Sequence, residues 1–456
     1  MLKVTQMQMN FVDLVKKPSE LKTKTDGNGR ANKLELQDRP FHDWYRFILS
    51  YPPHLVRQYI EDFRLNTQCV VLDPFCGTGT TLVEAKLNHI KSIGLEANPV
   101  AYLASSVKLN WNIDPDILIE RAYDIANNTL EVLKSQGIDD NLFLEKTTNA
   151  LQLKTLDAEA SKLILNGSIS PLPLHKTLVL LQNIKDHNTD KCYNHWLIAF
   201  ANALVYKISN LHFGPEVGVG KLKTDVPVIT HWLSEVRKIT NDLRLVTGKI
   251  YPEAKVYSAD ARHLSSLLEP NSIDAVITSP PYPNEKDYTR ITRLEAVILG
   301  IIKTKAELRE LKKNLIRSNT RGIYKGDDDD RWVAEHPEIQ RIASAIERRR
   351  IELDKDSGFE RSYAKVTRLY FGGMARHLSD LRTILRPGAQ LAYVVGDQAS
   401  YLQVMIHTGE LLADIAKTLG YEVTRIDLFR TRMATATKAQ LREEVLVLRW
   451  PGINTR

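Results

Sequence analysis

Short apolar runs that end in glycine, proline or acidic residues recur along the chain, and stretches with helical spacing separate them. The run CVVLD is followed by a glycine-rich turn, a helical stretch and a second run, SIGLE. This order predicts a βαβ unit with strands near residues 69–73 and 92–96. Apolar residues at helical spacing after a proline pair also predict a helix over about residues 53–63. The chain therefore has the pattern of an α/β protein.

The strand pattern returns in the second half of the chain. AKVYSAD, DAVITSPPY and QLAYVVGD are apolar runs that end in polar residues, and GYEVTRIDLF with EEVLVLRW predicts a C-terminal hairpin. Two segments break the pattern, and we predict both as mainly helical insertions: one is amphipathic without a clear strand, and the other is charged and helix-prone. The predicted divisions are a flexible N-terminal lead-in, residues 1–38; three α/β segments, residues 39–110, 251–283 and 363–456; and the two insertions, residues 111–250 and 284–362.

Composition narrows the class of protein. The chain has 456 residues, of which 43% are hydrophobic and 26% charged, as in an ordinary folded globular protein of two or three domains. Its net charge of +7 permits a polyanionic partner. No apolar run approaches the roughly 20 residues that cross a bilayer, and the start lacks the order of a signal peptide. We therefore expect a cytoplasmic protein without a membrane partner.

The three cysteines carry little chemistry in this pattern. Cys69, Cys76 and Cys192 form no CxxC pair, and their spacing matches no metal-ligand motif. We therefore predict neither a disulfide framework nor a metal site.

The glycine-rich turn after the first strand is the first candidate site. In the segment DPFCGTGTT, Gly77 and Gly79 allow the backbone to leave a strand sharply and to approach a ligand closely. Glu96 ends the next strand, where a carboxylate can accept hydrogen bonds from a ribose. A dinucleotide fold would require a third glycine where Leu82 stands. The pattern favours a nucleoside cofactor, and its alternative is an ordinary glycine-rich turn.

The segment Ser279-Pro280-Pro281-Tyr282 is the second candidate site. Two prolines fix φ and remove two backbone donors, which leaves nearby carbonyl oxygens available as acceptors. Ser279 and the carbonyl of Pro280 can accept hydrogens from an exocyclic amine, while Tyr282 stacks on the ring that carries it. The alternative is a proline-stiffened turn with Tyr282 as a packing residue.

Together these segments resemble the amino-methyltransferases that act on DNA with S-adenosylmethionine. Phe75, Gly77 and Gly79 resemble the FxGxG cofactor motif of that family, and Ser279–Tyr282 resembles its [DNS]PP[YFW] catalytic motif. The resemblance implies a Rossmann-like methyltransferase sheet with helices on both faces. Serine in the first catalytic position is more typical of enzymes that methylate cytosine N4, so the resemblance favours that target over adenine N6.

The resemblance also implies roles for individual residues. Asp73, Phe75, Gly77, Gly79 and Glu96 would bind the cofactor, while Ser279, Pro280, Pro281 and Tyr282 would be catalytic. The aromatic stretch Trp44, Tyr45 and Phe47, before Pro52 and Pro53, resembles the segment that closes over the methionine part, which makes Tyr45 a candidate cofactor residue. Asp260 stands where the family often has a polar residue near the adenine ring.

The implied reaction is direct attack of a base amine on the sulfonium methyl group, without a covalent intermediate. Methylation of cytosine C5 would instead need a thiolate, and no cysteine lies beside Ser279–Tyr282. Double-stranded DNA is the implied partner, with the target base flipped out of the stack. A restriction–modification system with a cognate restriction endonuclease is the implied context. The open alternatives are an RNA base methyltransferase and a nucleic-acid-binding protein that has lost catalysis.

Three further segments have charge patterns of interest. Arg348–Arg350 would either grip phosphates or form a solvated helix face. The glycine-rich, basic loop over residues 210–223 is a candidate DNA contact. Asp327–Asp330 lacks the spacing of a calcium loop, and we predict it as an exposed loop.

Overall fold

The computed structural model describes residues 34–46, 50–140, 152–214, 216–433 and 440–452. The predicted lead-in over residues 1–38 therefore lies outside the described residues up to residue 33, and so does Phe47. At the end of the lead-in, Leu36–Asp38 form a short 3-10 turn.

Seven strands of the described residues form one mixed sheet, and a small separate hairpin accompanies it. The strands are β1 (Val70–Asp73), β2 (Lys91–Leu95), β3 (Leu211–Phe213), β4 (Val217–Val219), β5 (Ala254–Tyr257), β6 (Ile273–Thr278), β7 (Leu385–Gly396), β8 (Glu422–Met433) and β9 (Gln440–Arg449). The sheet order is β5-β2-β1-β6-β7-β9-β8, and β3 pairs with β4 in the hairpin. β5, β2, β1, β6 and β7 are mutually parallel, and β9 runs antiparallel to both of its neighbours. The two predicted strands of the βαβ unit and the C-terminal hairpin are confirmed.

Helices cover both faces of the sheet. They are α1 (Pro53–Asp62), α2 (Thr80–Leu87), α3 (Pro99–Leu109), α4 (Pro115–Ser135), α5 (Ala158–Ser161), α6 (Pro171–Lys185), α7 (Tyr193–Ala203), α8 (Val228–Val246), α9 (Tyr288–Ile291), α10 (Arg293–Ile298), α11 (Lys305–Lys313), α12 (Pro337–Glu352), α13 (Tyr363–Leu381) and α14 (Thr408–Thr418). The predicted α/β fold is confirmed, and the helix expected near 53–63 is α1. In the described part of the chain, no helix has both the length and the apolar character that crossing a bilayer would require.

Alternation along the central strands divides their side chains between two cores. On β1, Val71 packs with the α1 residues Val56 and Tyr59, whereas Leu72 faces the opposite core, which includes Tyr370 of α13. Successive side chains of a strand point to opposite faces, so a strand that is covered on both faces reads as a continuous apolar run. This explains why the run CVVLD is apolar without alternation.

The helical insertion shares its core with the sheet domain. Val83 of α2 and Val107 of α3 belong to one apolar cluster with Leu118 of α4 and Trp232 of α8. The division into domains remains a prediction, but this shared core fixes the insertion against the helices that follow the glycine-rich turn.

One detail of the insertions was not anticipated from the sequence, and another was predicted wrongly. The first insertion does contain strands, because β3 and β4 form a hairpin inside the loop over residues 210–223, and three residues per strand leave too short a pattern to recognise. The acidic run is not an exposed loop: Asp329 is buried and pairs with Arg262 and Arg376, and Asp327 pairs with Arg317 at 2.8 Å. Arginines distant in the sequence thus pair with Asp329, whereas the partner of Asp327 is ten residues earlier.

The backbone of Asp329 lies directly on α13. A Cβ atom added to Gly372 would stand 1.9 Å from the carbonyl oxygen of Asp329, while one added to Gly358 would meet nothing within 4 Å. The glycine in the middle of α13 is thus required by close packing of the second insertion.

We predict that Gly372→Ala destabilises the protein, although alanine is ordinarily the better helix former by about 1 kcal/mol. The new methyl group must displace the Asp329 backbone, and such overpacking typically costs about 1–3 kcal/mol. Urea unfolding of Gly372→Ala, with Gly358→Ala as the matched control, measures the difference. A Gly372→Ala protein as stable as the control would contradict this packing.

Candidate active site at the strand ends

The two candidate segments meet at neighbouring strand ends. β1 and β6 are adjacent and parallel, with Leu72 opposite Val276, and both chains reach a loop at the same edge of the sheet. From β1 the chain order proceeds outward to β2 and β5, whereas from β6 it proceeds to β7 on the other side. Such a switch point leaves a crevice at the carboxyl ends of the strands, where α/β proteins bind ligands. A cleft of about 410 Å³ lies here, and both Gly77 and Tyr282 line it.

Asp73 joins the two loops from below the cleft. Its carboxylate is fully buried and accepts hydrogen bonds from Thr278 Oγ1 at 2.6 Å, Tyr51 OH at 3.0 Å and the Phe75 amide at 3.2 Å. Burial raises the pKa of Asp73 to about 6, while these donors act in the opposite direction. Asp73 does not line the cleft, so its position suits it to hold the loops rather than to touch a ligand.

Glu96 fixes the glycine-rich turn. One carboxylate oxygen accepts the Gly77 amide at 2.8 Å, and the other accepts the Asn98 amide at 2.7 Å. Gly77 has φ +52°, and a Cβ added there would meet nothing within 4 Å. Its backbone conformation thus favours glycine, and the space above it is open.

The residues at this end of the cleft fit an adenosyl group. Glu96 and Phe75 line the cleft, so the carboxylate presents its remaining lone pairs to a ligand beside an aromatic ring. Burial raises the pKa of Glu96 to about 7, against the two amide hydrogen bonds that lower it. A ribose can donate two hydroxyl protons to such an acceptor, as the position at the end of the second strand predicts.

Ser279, Pro280, Pro281 and Tyr282 all line the same cleft. Ser279 Oγ donates to the carbonyl of Val394 on β7 at 3.1 Å, which leaves its oxygen lone pairs as acceptors. The Tyr282 amide donates to Tyr288 OH at 3.1 Å. A Cβ added to Gly396 would stand 3.1 Å from the Tyr282 ring. The ring is therefore held against the end of β7, and Gly396 was not recognised from the sequence.

The C-terminal hairpin supplies another wall that sequence reasoning missed. The register between β8 and β9 shifts between Leu428 and Arg430, so Phe429 has no direct partner on β9. Such a bulge re-aims side chains, and Phe429, Arg430 and Arg432 all line the cleft together with Glu443 of β9. Arg430 and Glu443 form an ion pair. The only sequence signal was a pair of arginines two residues apart, directly after the predicted strand GYEVTRIDLF.

Asp260 lines the cleft at the end of β5, but its carboxylate is already engaged. It accepts from the Arg262 amide at 2.9 Å and from the Arg262 guanidinium at 2.6–3.0 Å. Arg262 also pairs with Asp329. Through Arg262, the second insertion thus holds Asp260 in place. Contact of Asp260 with an adenine ring stays a prediction.

Besides Asp73, two further candidate cofactor residues, Tyr45 and Gly79, do not line the cleft. Tyr45 is buried in the core and donates its hydroxyl proton to Glu295. Tyr51 lines the cleft instead and contacts both Asp73 and Thr81. The residue before a proline is held extended, which is the signal that marks Tyr51. Gly79 has φ +87°, and a Cβ there would stand 3.1 Å from Ser105 Cβ, so this glycine serves the packing of α2 on α3.

The arginine run on α12 forms local ion pairs. Arg349 pairs with Glu352 at 3.2 Å and Arg350 with Glu347 at 2.7 Å, three residues away in each case. This arrangement is typical of a solvated helix face. The local ion pairs therefore do not favour a phosphate-binding role for Arg348–Arg350.

Comparison with known proteins agrees with this geometry. A family model described as DNA methylase matches residues 16–106. The chain is 26% identical over 434 residues to the Type II methyltransferase M.BsoBI of Geobacillus stearothermophilus, a match covering 90% of this chain and 83% of that protein. It is 21% identical over 449 residues to the Type II methyltransferase M.AvaI of a Nostoc species, covering 92% and 88%. A shorter match of 136 residues, 28% identical, joins 28% of this chain to 34% of the tRNA (guanine(10)-N2)-dimethyltransferase of Methanocaldococcus jannaschii.

The family match includes the glycine-rich turn and Glu96, and the two long matches extend over most of the chain. The same two motifs that carry the resemblance line one cleft at the switch point of the sheet. The match to the DNA methylase model over residues 16–106 and the similarity to Type II methyltransferases over most of the chain together support an N4/N6 DNA amino-methyltransferase.

Proposed function

We propose that this protein methylates the exocyclic amine of a base flipped out of double-stranded DNA, with cytosine N4 as the target. Methyltransferases of this family use S-adenosylmethionine as the methyl donor. The observation that supports the proposal is the shared cleft: Gly77 and Glu96 line one end, and Ser279 and Tyr282 line it at the adjoining strand end. A donor methyl group and an acceptor amine can therefore be held in line.

When bound, the cofactor supplies an electrophilic methyl group on sulfur. The protein orients the amine with fixed acceptors, for which the Ser279 oxygen and the Pro280 carbonyl are suited. The base ring stacks on Tyr282, whose own position is fixed by Tyr288 and Gly396. Acceptors that are already positioned need little reorganisation as the amine loses electron density to the methyl group.

Cysteine chemistry at cytosine C5 is not supported. Cys76 does line the cleft, but burial raises the pKa of its thiol well above the ordinary value, with Glu96 and Asp73 acting in the same direction. A neutral thiol is a poor nucleophile for a step that requires a thiolate. The proposal therefore rests on amine methylation.

The choice of cytosine N4 over adenine N6 follows the serine in the first catalytic position. A neutral hydroxyl stands there instead of the Asp or Asn usual in the adenine enzymes of the family. The tRNA dimethyltransferase similarity makes an RNA base the second candidate, and a catalytically inactive nucleic-acid-binding protein is the candidate from another class. We further propose a cytoplasmic protein that protects host DNA against a cognate endonuclease.

Transfer of label from methyl-labelled S-adenosylmethionine to mixed-sequence duplex DNA, tRNA and rRNA tests these candidates together. Base-resolution sequencing of the labelled DNA then distinguishes N4-methylcytosine from N6-methyladenine. Label in RNA alone would support the RNA candidate, and the absence of label from every nucleic acid would support the inactive protein.

We predict that Tyr282→Ala lowers kcat/KM for DNA by about tenfold to a hundredfold. Base–aromatic stacking is worth roughly 1–3 kcal/mol, and the alanine variant loses it. Tyr282→Phe retains the ring and is expected to stay within a few-fold of the wild type. Steady-state kinetics on a methylatable duplex measure both variants. Equal loss in the two would show that the hydroxyl, not the ring, is required.

We predict that binding of S-adenosylhomocysteine weakens as the pH falls below about 7. The pKa of Glu96 is raised to about 7 by burial, so at lower pH the carboxyl is protonated and loses acceptor capacity for the ribose hydroxyls. Calorimetric titrations between pH 5.5 and 8.5 measure the effect. In Glu96→Gln, binding should be weak with a flatter pH profile. If the pH profile of Glu96→Gln has the same shape as that of the wild type, the titration belongs to another group, such as Asp73, whose pKa is raised to about 6.

A further inference from the structure

Lys286 stands where the active-site cleft opens into a second, smaller cleft. It follows Tyr282 by four residues and lines both clefts. The second cleft lies between the loop after Tyr282 and the hairpin of β3 and β4, with Phe213 and Val217 on its hairpin side. A chain that leaves the active site in this direction passes Lys286.

The ammonium group of Lys286 has no hydrogen bond or ion pair with any residue in the described ranges, in contrast to the carboxylates around it. Glu443 pairs with Arg430, and Asp287 pairs with Lys312 at 2.7 Å. On the far side of the second cleft, Glu216 pairs with Arg290 at 3.3 Å. The carboxylates of Glu443, Asp287 and Glu216 are thus already paired with cationic side chains.

The loop holds Lys286 in a constrained conformation. Glu285 has φ +62°, which is unfavourable for a residue with a side chain, and its carboxylate accepts from Thr320 N and Oγ1 at 2.9 Å each. The backbone carbonyl of Lys286 accepts from Asn319 Nδ2 at 3.2 Å. Strain that the surroundings maintain is concentrated at functional positions.

The electrostatic setting disfavours a charged lysine that has no partner. Lys286 is half-buried, and burial lowers its pKa, with Arg432 acting in the same direction and Glu443 opposing them. A partly desolvated ammonium beside another cation gains from any anion that can reach it. Since Lys286 has no anionic partner among the described residues, an external anion would stabilise its charged form.

We propose that Lys286 binds a phosphodiester group next to the flipped nucleotide, an inference that rests on the proposed function. If the target base occupies the cleft at Tyr282, its sugar and phosphates must leave through the mouth of that cleft. A lysine ammonium is a compact point charge with three donors, which suits a single phosphate oxygen. The second cleft then receives the strand that leads away from the target.

Salt dependence of DNA binding tests this contact without requiring catalysis. Each neutralised phosphate contributes about 0.9 to the slope of log K against log salt. Lys286→Gln should reduce the slope by about that amount, so that the affinity ratio of wild type to variant falls by about 3.5-fold between 50 and 200 mM salt. Lys286→Arg should retain the wild-type slope. The matched control is Lys417→Gln on α14, an exposed lysine that lines neither cleft.

Single methylphosphonate substitutions identify the phosphate. Replacing each phosphate that flanks the mapped target base in turn should weaken the wild type at one position and leave Lys286→Gln unaffected at that position. Unchanged binding of S-adenosylhomocysteine to Lys286→Gln shows that the variant is folded and that the cofactor end is intact.

The outcomes separate this proposal from the proposed function. Equal salt slopes for wild type and Lys286→Gln would overturn the phosphate contact. So would weakened cofactor binding with unchanged DNA affinity, which would instead assign the ammonium to the cofactor carboxylate. If the wild type transfers no methyl group but Lys286→Gln still has a smaller salt slope than the wild type, the result supports the phosphate contact and refutes the proposed function.

Discussion

The hydrogen bond between Asp73 and Thr278 is the interaction on which the candidate site depends. These residues are 205 positions apart in the sequence, and each is the last residue of its strand. Parallel pairing of β1 and β6 brings the two strand ends together. The hydrogen bond between Asp73 and Thr278 joins these ends directly, beneath the loops that follow them. A buried carboxylate must find donors, and Asp73 finds them in Thr278 at the end of β6, in the Phe75 amide of the glycine-rich turn and in Tyr51. The desolvation cost of one group thereby fixes three segments of the chain around one cleft.

The insertions contribute to the same construction. The first packs on α2 and α3 as part of one apolar core, and it carries the β3–β4 hairpin to the edge of the catalytic loop, where Glu216 meets Arg290. The second insertion places Asp329 on Gly372 and against Arg262, which in turn holds Asp260 at the cleft. Segments that resemble no sheet element in sequence thus determine how open the cleft is and which charges line it.

Local pattern was sufficient for the central strands, because a strand covered on both faces must be apolar throughout. It was also sufficient for the position of Gly77 and Glu96 at the strand ends, because their spacing follows from a βαβ unit. It failed where a contact is made by residues far apart in sequence. Tyr45 and Tyr51 are both tyrosines ahead of the cofactor turn, and the hydrogen bond of Tyr45 to Glu295, 250 residues away, places Tyr45 in the core and away from the cleft. Nothing near Asp329 in the sequence indicates that Arg262 and Arg376 neutralise its charge in the interior. Likewise, no residue type near Phe429 marks the bulge in β8.

The two ends of the cleft differ in charge, and the difference suits the two ligands of the proposed reaction. The carboxyl groups of Asp73, beneath the loops, and Glu96, in the cleft wall, lie at the cofactor end with raised pKa values, whereas Lys286 and Arg432 line the other end. Above about pH 7, where both carboxyl groups are ionised, a sulfonium cation would be attracted to the first and a polyanionic strand to the second. Because methyl transfer would leave a neutral thioether in place of the sulfonium, these carboxylates would attract the product less than the donor. On the proposed function, this charge pattern would favour exchange of the spent cofactor while the nucleic acid stays bound at the basic end.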